Sequence, residues 1–250
     1  MLTLSLAQLA LLGTGAALGG LVFGVMGFAY GVVVSLFIHH GFAAADVVFI
    51  VVGGALALNV GLLPRFRREL RWRSAAPSLA GAALGLPLGL WLLARLDVGT
   101  IRAIVALVII GYGVFALRRH GLAPLRFEPA RLRVVDGLVG FAGGVVGGIC
   151  GLGPLVPAVW FGLRGLEKME QRALAQCYGL CVQGAMVAWL LASSTVSRDA
   201  VEGLLLALPV MLAGAWLGLQ GFERLGAPVF RQGVVLLAIA GAAVLLVRQL

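Results

Sequence analysis

The chain has 250 residues, 61% of them hydrophobic and only 12% charged, with a mean hydropathy of +1.06. Soluble domains run near half apolar and a quarter charged, so a soluble fold is excluded. The net charge of +9 could suggest a nucleic-acid partner, but the arginines sit in short loops between apolar segments, where they act as topology signals.

A bilayer pass takes roughly 20 apolar residues, so the length leaves room for about six to eight passes. The first apolar segment, 10–38, follows an N-terminus without a positive stretch, so it reads as a retained segment rather than a cleaved signal. It carries Gly20, Gly24, Gly27 and Gly31 and closes on His39 and His40. An interfacial histidine pair is ordinarily solvated; these two are also the obvious candidates for proton coupling, because imidazole titrates near neutral pH. The second segment, 43–63, holds Asn59, and segments 75–94 and 101–117 follow.

The polar stretch 118–133, with five arginines, Pro124 and Pro129, reads as a basic cytoplasmic linker between a first membrane repeat, 1–117, and a second, 134–250. Segment 134–161 is studded with glycine and interrupted by Gly153-Pro154. As one helix, 28 residues would extend about 42 Å against about 30 Å of hydrocarbon. A hairpin of two short arms fits better, and it also leaves fewer basic residues outside. Segments 173–193, 201–221 and 229–247 complete the chain, with Asp199 and Glu202 placed to cap the start of the second of these.

The halves repeat. A shift of 120 sets Gly20, Gly24, Gly27 and Gly31 on Gly140, Gly144, Gly147 and Gly151; a shift of 129 sets Gly85, Gly89, Arg95 and Arg102 on Gly214, Gly218, Arg224 and Arg231. The expected fold is an all-α integral membrane protein of two homologous halves. Each half is a Gly-rich broken or re-entrant hairpin plus three transmembrane helices, an odd number of crossings that makes the repeat inverted.

All ten acids lie at segment ends or in loops. A cation carrier commonly keeps a carboxylate within the membrane, so cation transport is disfavoured. No ligand cluster has metal-site spacing and no nucleophile–base pair is evident, so neither a metal, a cofactor nor an enzyme is expected. Anion binding needs donors instead. Backbone N–H groups freed at 147–153 (Gly147, Gly148, Cys150, Gly151 and Gly153), beside the break at Pro154, and at Gly27 and Gly31 could supply them, with a helix N-terminus adding positive potential. Asn59, Gln176 and Gln183 are neutral side chains that either bond between helices or touch the ligand. Cys177 and Cys181, one turn apart, read as packing residues or, as the sharper alternative, a thiol or metal site. Tryptophans 72, 91, 160, 189 and 216 fit an interfacial belt.

The run Gly143-Gly-Val-Val-Gly-Gly-Ile-Cys-Gly-Leu-Gly-Pro-Leu-Val-Pro157, followed by Trp160-Phe-Gly-Leu-Arg-Gly165, Lys168-Met-Glu-Gln-Arg-Ala173 and Gln176, resembles the sulfite exporter TauE/SafE family. The first half departs from that pattern, reading Gly31-Val-Val-Val-Ser-Leu-Phe37 without a proline. The resemblance implies a bacterial inner-membrane permease for a small sulfur-containing anion such as sulfite or a sulfonate, by export or uptake. Two readings stay open: a secondary transporter, and a non-transporting sensor or assembly subunit of the same fold. Expected partners are the anion and membrane lipid, with a homodimer through Gly-rich faces left open and no nucleic acid.

Overall fold

The computed structural model describes residues 5–27, 30–38, 42–66, 70–97, 99–101, 103–104, 107–108, 111, 125 and 127–224. Eight helices are defined among them: α1 (Leu6–Met26), α2 (Tyr30–Ile38), α3 (Ala44–Phe66), α4 (Trp72–Leu93), α5 (Pro129–Cys150), α6 (Leu155–Leu163), α7 (Lys168–Ala192) and α8 (Arg198–Arg224). Six of these are long and apolar enough to cross a membrane; α2 and α6, at 9 residues each, are not. Their length of about 14 Å covers half the hydrocarbon thickness. Residues 99–101, 103–104, 107–108 and 111 are helical, beginning two residues before the expected segment 101–117. Segment 229–247, His39 and His40 lie outside the described residues.

Local chemistry sets the helix starts. Ser5 and Gln8 close a reciprocal capping box on α1. Pro129 opens α5 at the first helical position, where its missing N–H costs nothing, so Arg131 and Arg133 belong to this helix rather than to a loop. At α8 the cap is Ser197, whose Oγ accepts from the Ala200 amide at 3.1 Å, rather than the Asp199 and Glu202 pair. The Ser197 amide in turn donates to Asp46 Oδ1 at 2.8 Å, tying α8 to the first turn of α3. In the loop after α4, Asp97 accepts from the Thr100 side chain and amide, which holds its carboxyl below the ordinary range.

Both Gly-rich segments turn back on themselves. α1 ends at Gly27 (φ +87°) and α5 at Gly151 (φ +75°), left-handed conformations that glycine adopts without steric cost. On the return, Tyr30 packs on Gly19 and Phe37 on Gly15. In the second hairpin Pro157 reaches Gly143. Trp160 Nε1 donates to Asp136 at 2.6 Å, and Arg164 bridges the same carboxylate at 3.2 Å. The buried Asp136 thus pins α6 to α5, and Trp160 is buried too, unlike the exposed Trp72, Trp91, Trp189 and Trp216.

The hairpins do not pack within their own halves alone. α1 lies along α8: Gly20 meets the Met211 backbone, Gly24 that of Ala215, and Gly218 that of Leu21. α5 lies along α4 in the same way, with Gly140 on Ser78, Gly85 on Phe141 and Gly148 on Gly89. In each pair the residue numbers rise together, so the helices run parallel. Missing Cβ atoms let the backbones touch, the usual route to tight association in lipid, where apolar burial alone drives little. Between these pairs stand α3 and α7, antiparallel, with Leu56 near Gly184 and Asn59 near Gly179. Their inner faces, including Ile50, Leu58, Tyr178 and Met186, build the core with Phe23 and Met211.

The turns fall one helical turn away from the register in which the glycine ladders align. The two turn glycines correspond, Gly27 with Gly151, a shift of 124 rather than 120. With it Gly24 falls on Gly148, and each meets the matching glycine of its partner helix, Gly218 and Gly89 respectively. Glycines spaced by four align equally well after a slip of four, so their spacing alone cannot distinguish one helical turn from the next.

Candidate functional site

The two hairpins meet at α3. A Cβ on Gly151 would lie 2.7 Å from Val52 Cγ2 and 3.4 Å from Val51 Cγ1; one on Gly31 would lie 2.6 Å from Val51 Cγ1 and 3.2 Å from Leu152 Cδ2. Gly31 of the first hairpin and the Gly151–Leu152 turn of the second are therefore neighbours across Val51. Gly153 and Pro154 follow the turn. Gly153 packs on Gly147 and on the Gly143 carbonyl, and Pro154 leads into α6.

The other candidate glycines separate by role. Gly147 is helical and its carbonyl accepts the Gly151 amide at 2.7 Å, which ends α5. Gly148 faces away from the turn onto Gly89 and Leu90 of α4, where it holds two backbones together. Cys150 Sγ is bonded back to the Val146 carbonyl within its own helix.

Asn59 and Gln183 meet. Asn59 Nδ2 donates to Gln183 Oε1 at 2.8 Å and to the Ala55 carbonyl at 3.1 Å. These residues are 124 positions apart, the same interval as the turn glycines Gly27 and Gly151. Both side chains are buried, and Asn59 Oδ1 has no partner among the described residues. Deleting the amide from one side strands the other. Asn59→Leu should therefore lower stability by about 1–2 kcal/mol, while the Asn59→Leu/Gln183→Leu pair should recover most of that loss. Denaturation of purified protein in mixed micelles reads both; simply additive losses would show that the bond contributes nothing.

Gln176 stands apart from this bond. It is 1% exposed, and neither amide atom finds a partner among the described residues. One turn earlier on α7, Arg172 is also buried. Its Nη2 donates to the Gly24 carbonyl at 2.9 Å, its Nη1 lies 3.5 Å from that of Val25, and its stem packs against Gly27, with Cγ 3.5 Å from where a Cβ would sit. A cation at the carbonyl end of α1 is favoured by the helix dipole. Sequence reasoning placed Arg172 at a loop end and sought donors without charge. The signal available was its four-residue spacing from Gln176, with Gly179 and Gln183 continuing the same face.

The arrangement offers buried donors, a guanidinium and two turns at one region of a bundle built to cross lipid. The family model for the sulfite exporter TauE/SafE matches residues 11–245. The chain is similar to a probable inner membrane transporter protein, TsaS, of Comamonas testosteroni, 30% identical over 175 residues that cover 69% of this chain and 71% of that protein. No solved structure matches. The chain belongs to the sulfite exporter TauE/SafE family, and is a multi-pass membrane transporter.

Proposed function

We propose that the protein is a secondary transporter of the bacterial inner membrane that exports a small sulfur-containing anion, such as sulfite or a sulfonate, by alternating access. The observation that carries this reading is the meeting of Gly31 of the first hairpin with the Gly151–Leu152 turn of the second across Val51, in a bundle whose α3 and α7 carry buried polar side chains. Irregular backbone at membrane depth is tolerated where it is covered by protein or lines a cavity, and such interruptions form the ligand sites of many secondary transporters.

In this reading residues 1–117 and 134–250 are inverted repeats joined by the basic linker 118–133. Three contact directions support it: α1 parallel to α8, α5 parallel to α4, and α3 antiparallel to its counterpart α7. Gly27, Gly31, Gly151, Gly153 and Pro154 shape the site from the backbone, and Gln176, Asn59 and Gln183 serve it as neutral side chains. Rocking of one half against the other exposes the site to each side in turn, with the Asn59–Gln183 bond at the meeting point.

Reconstitution into liposomes tests the function. Saturable flux of 35S-labelled sulfite, together with stabilisation of the purified protein by one member of a panel of sulfite, sulfate, thiosulfate, taurine and sulfoacetate, is the expected result. A bound anion raises apparent stability by mass action. Absence of both with well-folded protein would instead indicate a non-transporting sensor or assembly subunit.

A further inference from the structure

The two turns are built alike and lined differently. At Gly151 the neighbours from α3 are Val51 and Val52. In the repeat register, Val48 and Val52 correspond to Arg172 and Gln176 on α7, and Arg172 lies against Gly27. Val52, which lines the Gly151 turn, thus corresponds to Gln176, one helical turn from the Arg172 side chain that lies against Gly27.

We infer that Arg172 and Gln176 form the anion-receiving half of the transport site at the Gly27 turn, and that the Gly151 turn contributes shape but no charge. This rests on the transport reading above and assigns its ligand contact to one side. Four observations carry it. Arg172 is 5% exposed and Gln176 1% exposed, so both are shielded from water, where the amide of Gln176 is costly to leave without a partner. They are one helical turn apart on α7, so their side chains project from the same face. Both polar atoms of Gln176 lack a partner among the described residues, leaving its NH2 able to donate. The Arg172 guanidinium donates to the neutral carbonyls of Gly24 and Val25, at 2.9 and 3.5 Å.

Those carbonyls are weaker acceptors than an anionic oxygen. Charge-assisted hydrogen bonds are roughly twice as strong as neutral ones, so an arriving anion draws the guanidinium from the end of α1. Binding at this half-site therefore loosens α1 from α7, which links occupancy to movement of the first hairpin. The planar fork of arginine matches two oxygens held in one plane. The ligand class is accordingly an oxyanion presenting at least two oxygens, as sulfite and sulfonates do, and not a halide.

The test compares wild type with Arg172→Lys, Arg172→Gln and Gln176→Glu, each purified and reconstituted at matched density, with 35S-sulfite as probe. Wild-type flux should be competed by unlabelled sulfoacetate and not by equimolar chloride. Arg172→Gln should raise the half-saturating concentration by about 100-fold or remove saturation. Arg172→Lys should fall between, keeping the charge without the fork. Gln176→Glu sets a carboxylate of the same size beside the guanidinium; it should raise the unfolding temperature without ligand and abolish the sulfite-induced shift. That variant decides the matter if Arg172→Gln is not recovered folded. Wild-type half-saturation in Arg172→Gln, or a retained sulfite shift in Gln176→Glu, overturns the half-site while leaving the transporter reading intact. If wild type carries no anion of the panel, both fall together.

Discussion

Gly151→Leu should abolish sulfite flux while the protein still inserts into the membrane. Position 151 has φ +75°, where any side chain is strained by about 1–2 kcal/mol. Space is the larger obstacle. The first carbon of the new side chain would lie 2.7 Å from Val52 Cγ2 and 3.4 Å from Val51 Cγ1, and three further carbons must follow it. The turn has to move, and with it Leu152, which packs on Gly31 of the other hairpin. The contact that brings the two turns together is lost, yet the six long apolar helices keep their length and hydropathy, so insertion persists. Gly153→Leu should act similarly, since its Cβ would lie 2.8 Å from the Gly143 carbonyl oxygen. Flux per folded protein in liposomes, with size-exclusion profiles as the folding control, is the measurement. Normal transport by well-folded Gly151→Leu would remove the turn from the mechanism.

The second large effect is on assembly. Gly85→Val and Gly140→Val should sharply reduce the yield of folded protein, because each places carbon onto a backbone carbonyl of the neighbouring helix, that of Phe141 and that of Ser78. A side chain can rotate away from an intruder, whereas a helical carbonyl moves only if its helix moves. α4 and α5 would have to separate along their length, giving up the neighbouring contacts of Gly81 and Gly144 as well. Overpacking costs about 1–3 kcal/mol where neighbours can adjust, and this site sits at or above the upper end. Gly13→Ala is the control: nothing lies within 4 Å of its Cβ, so it should be neutral or stabilising by up to about 1 kcal/mol. Extraction in mild detergent followed by thermal unfolding measures all three. Equal yields for Gly13→Ala and Gly140→Val would contradict the close backbone packing.

The hairpin of residues 134–161 was legible because length and apolarity bound it from both sides: too long for one pass, too interrupted for a straight helix. Its turning point was less so. Gly153-Pro154 is the visible break, but proline is at home at a helix start, and the chain reverses at the left-handed Gly151 just before it. The pairing of Asn59 with Gln183 could not be read at all under a repeat register one turn out. Trp160 shared the position of its interfacial counterparts near a segment end, yet it bonds Asp136 and is buried in a cluster with Phe161 and Leu174.

By itself, then, the order of residues determined that this is an all-helical membrane protein with interrupted glycine-rich segments, because hydropathy, span length and backbone permissiveness are properties of local chain. Tertiary structure alone decided which helices touch, which turn of a four-residue glycine ladder matches which, and that Arg172 leaves its helix end to lie against Gly27. Those depend on distances between residues more than a hundred positions apart, and a pattern that repeats every turn carries no information about them.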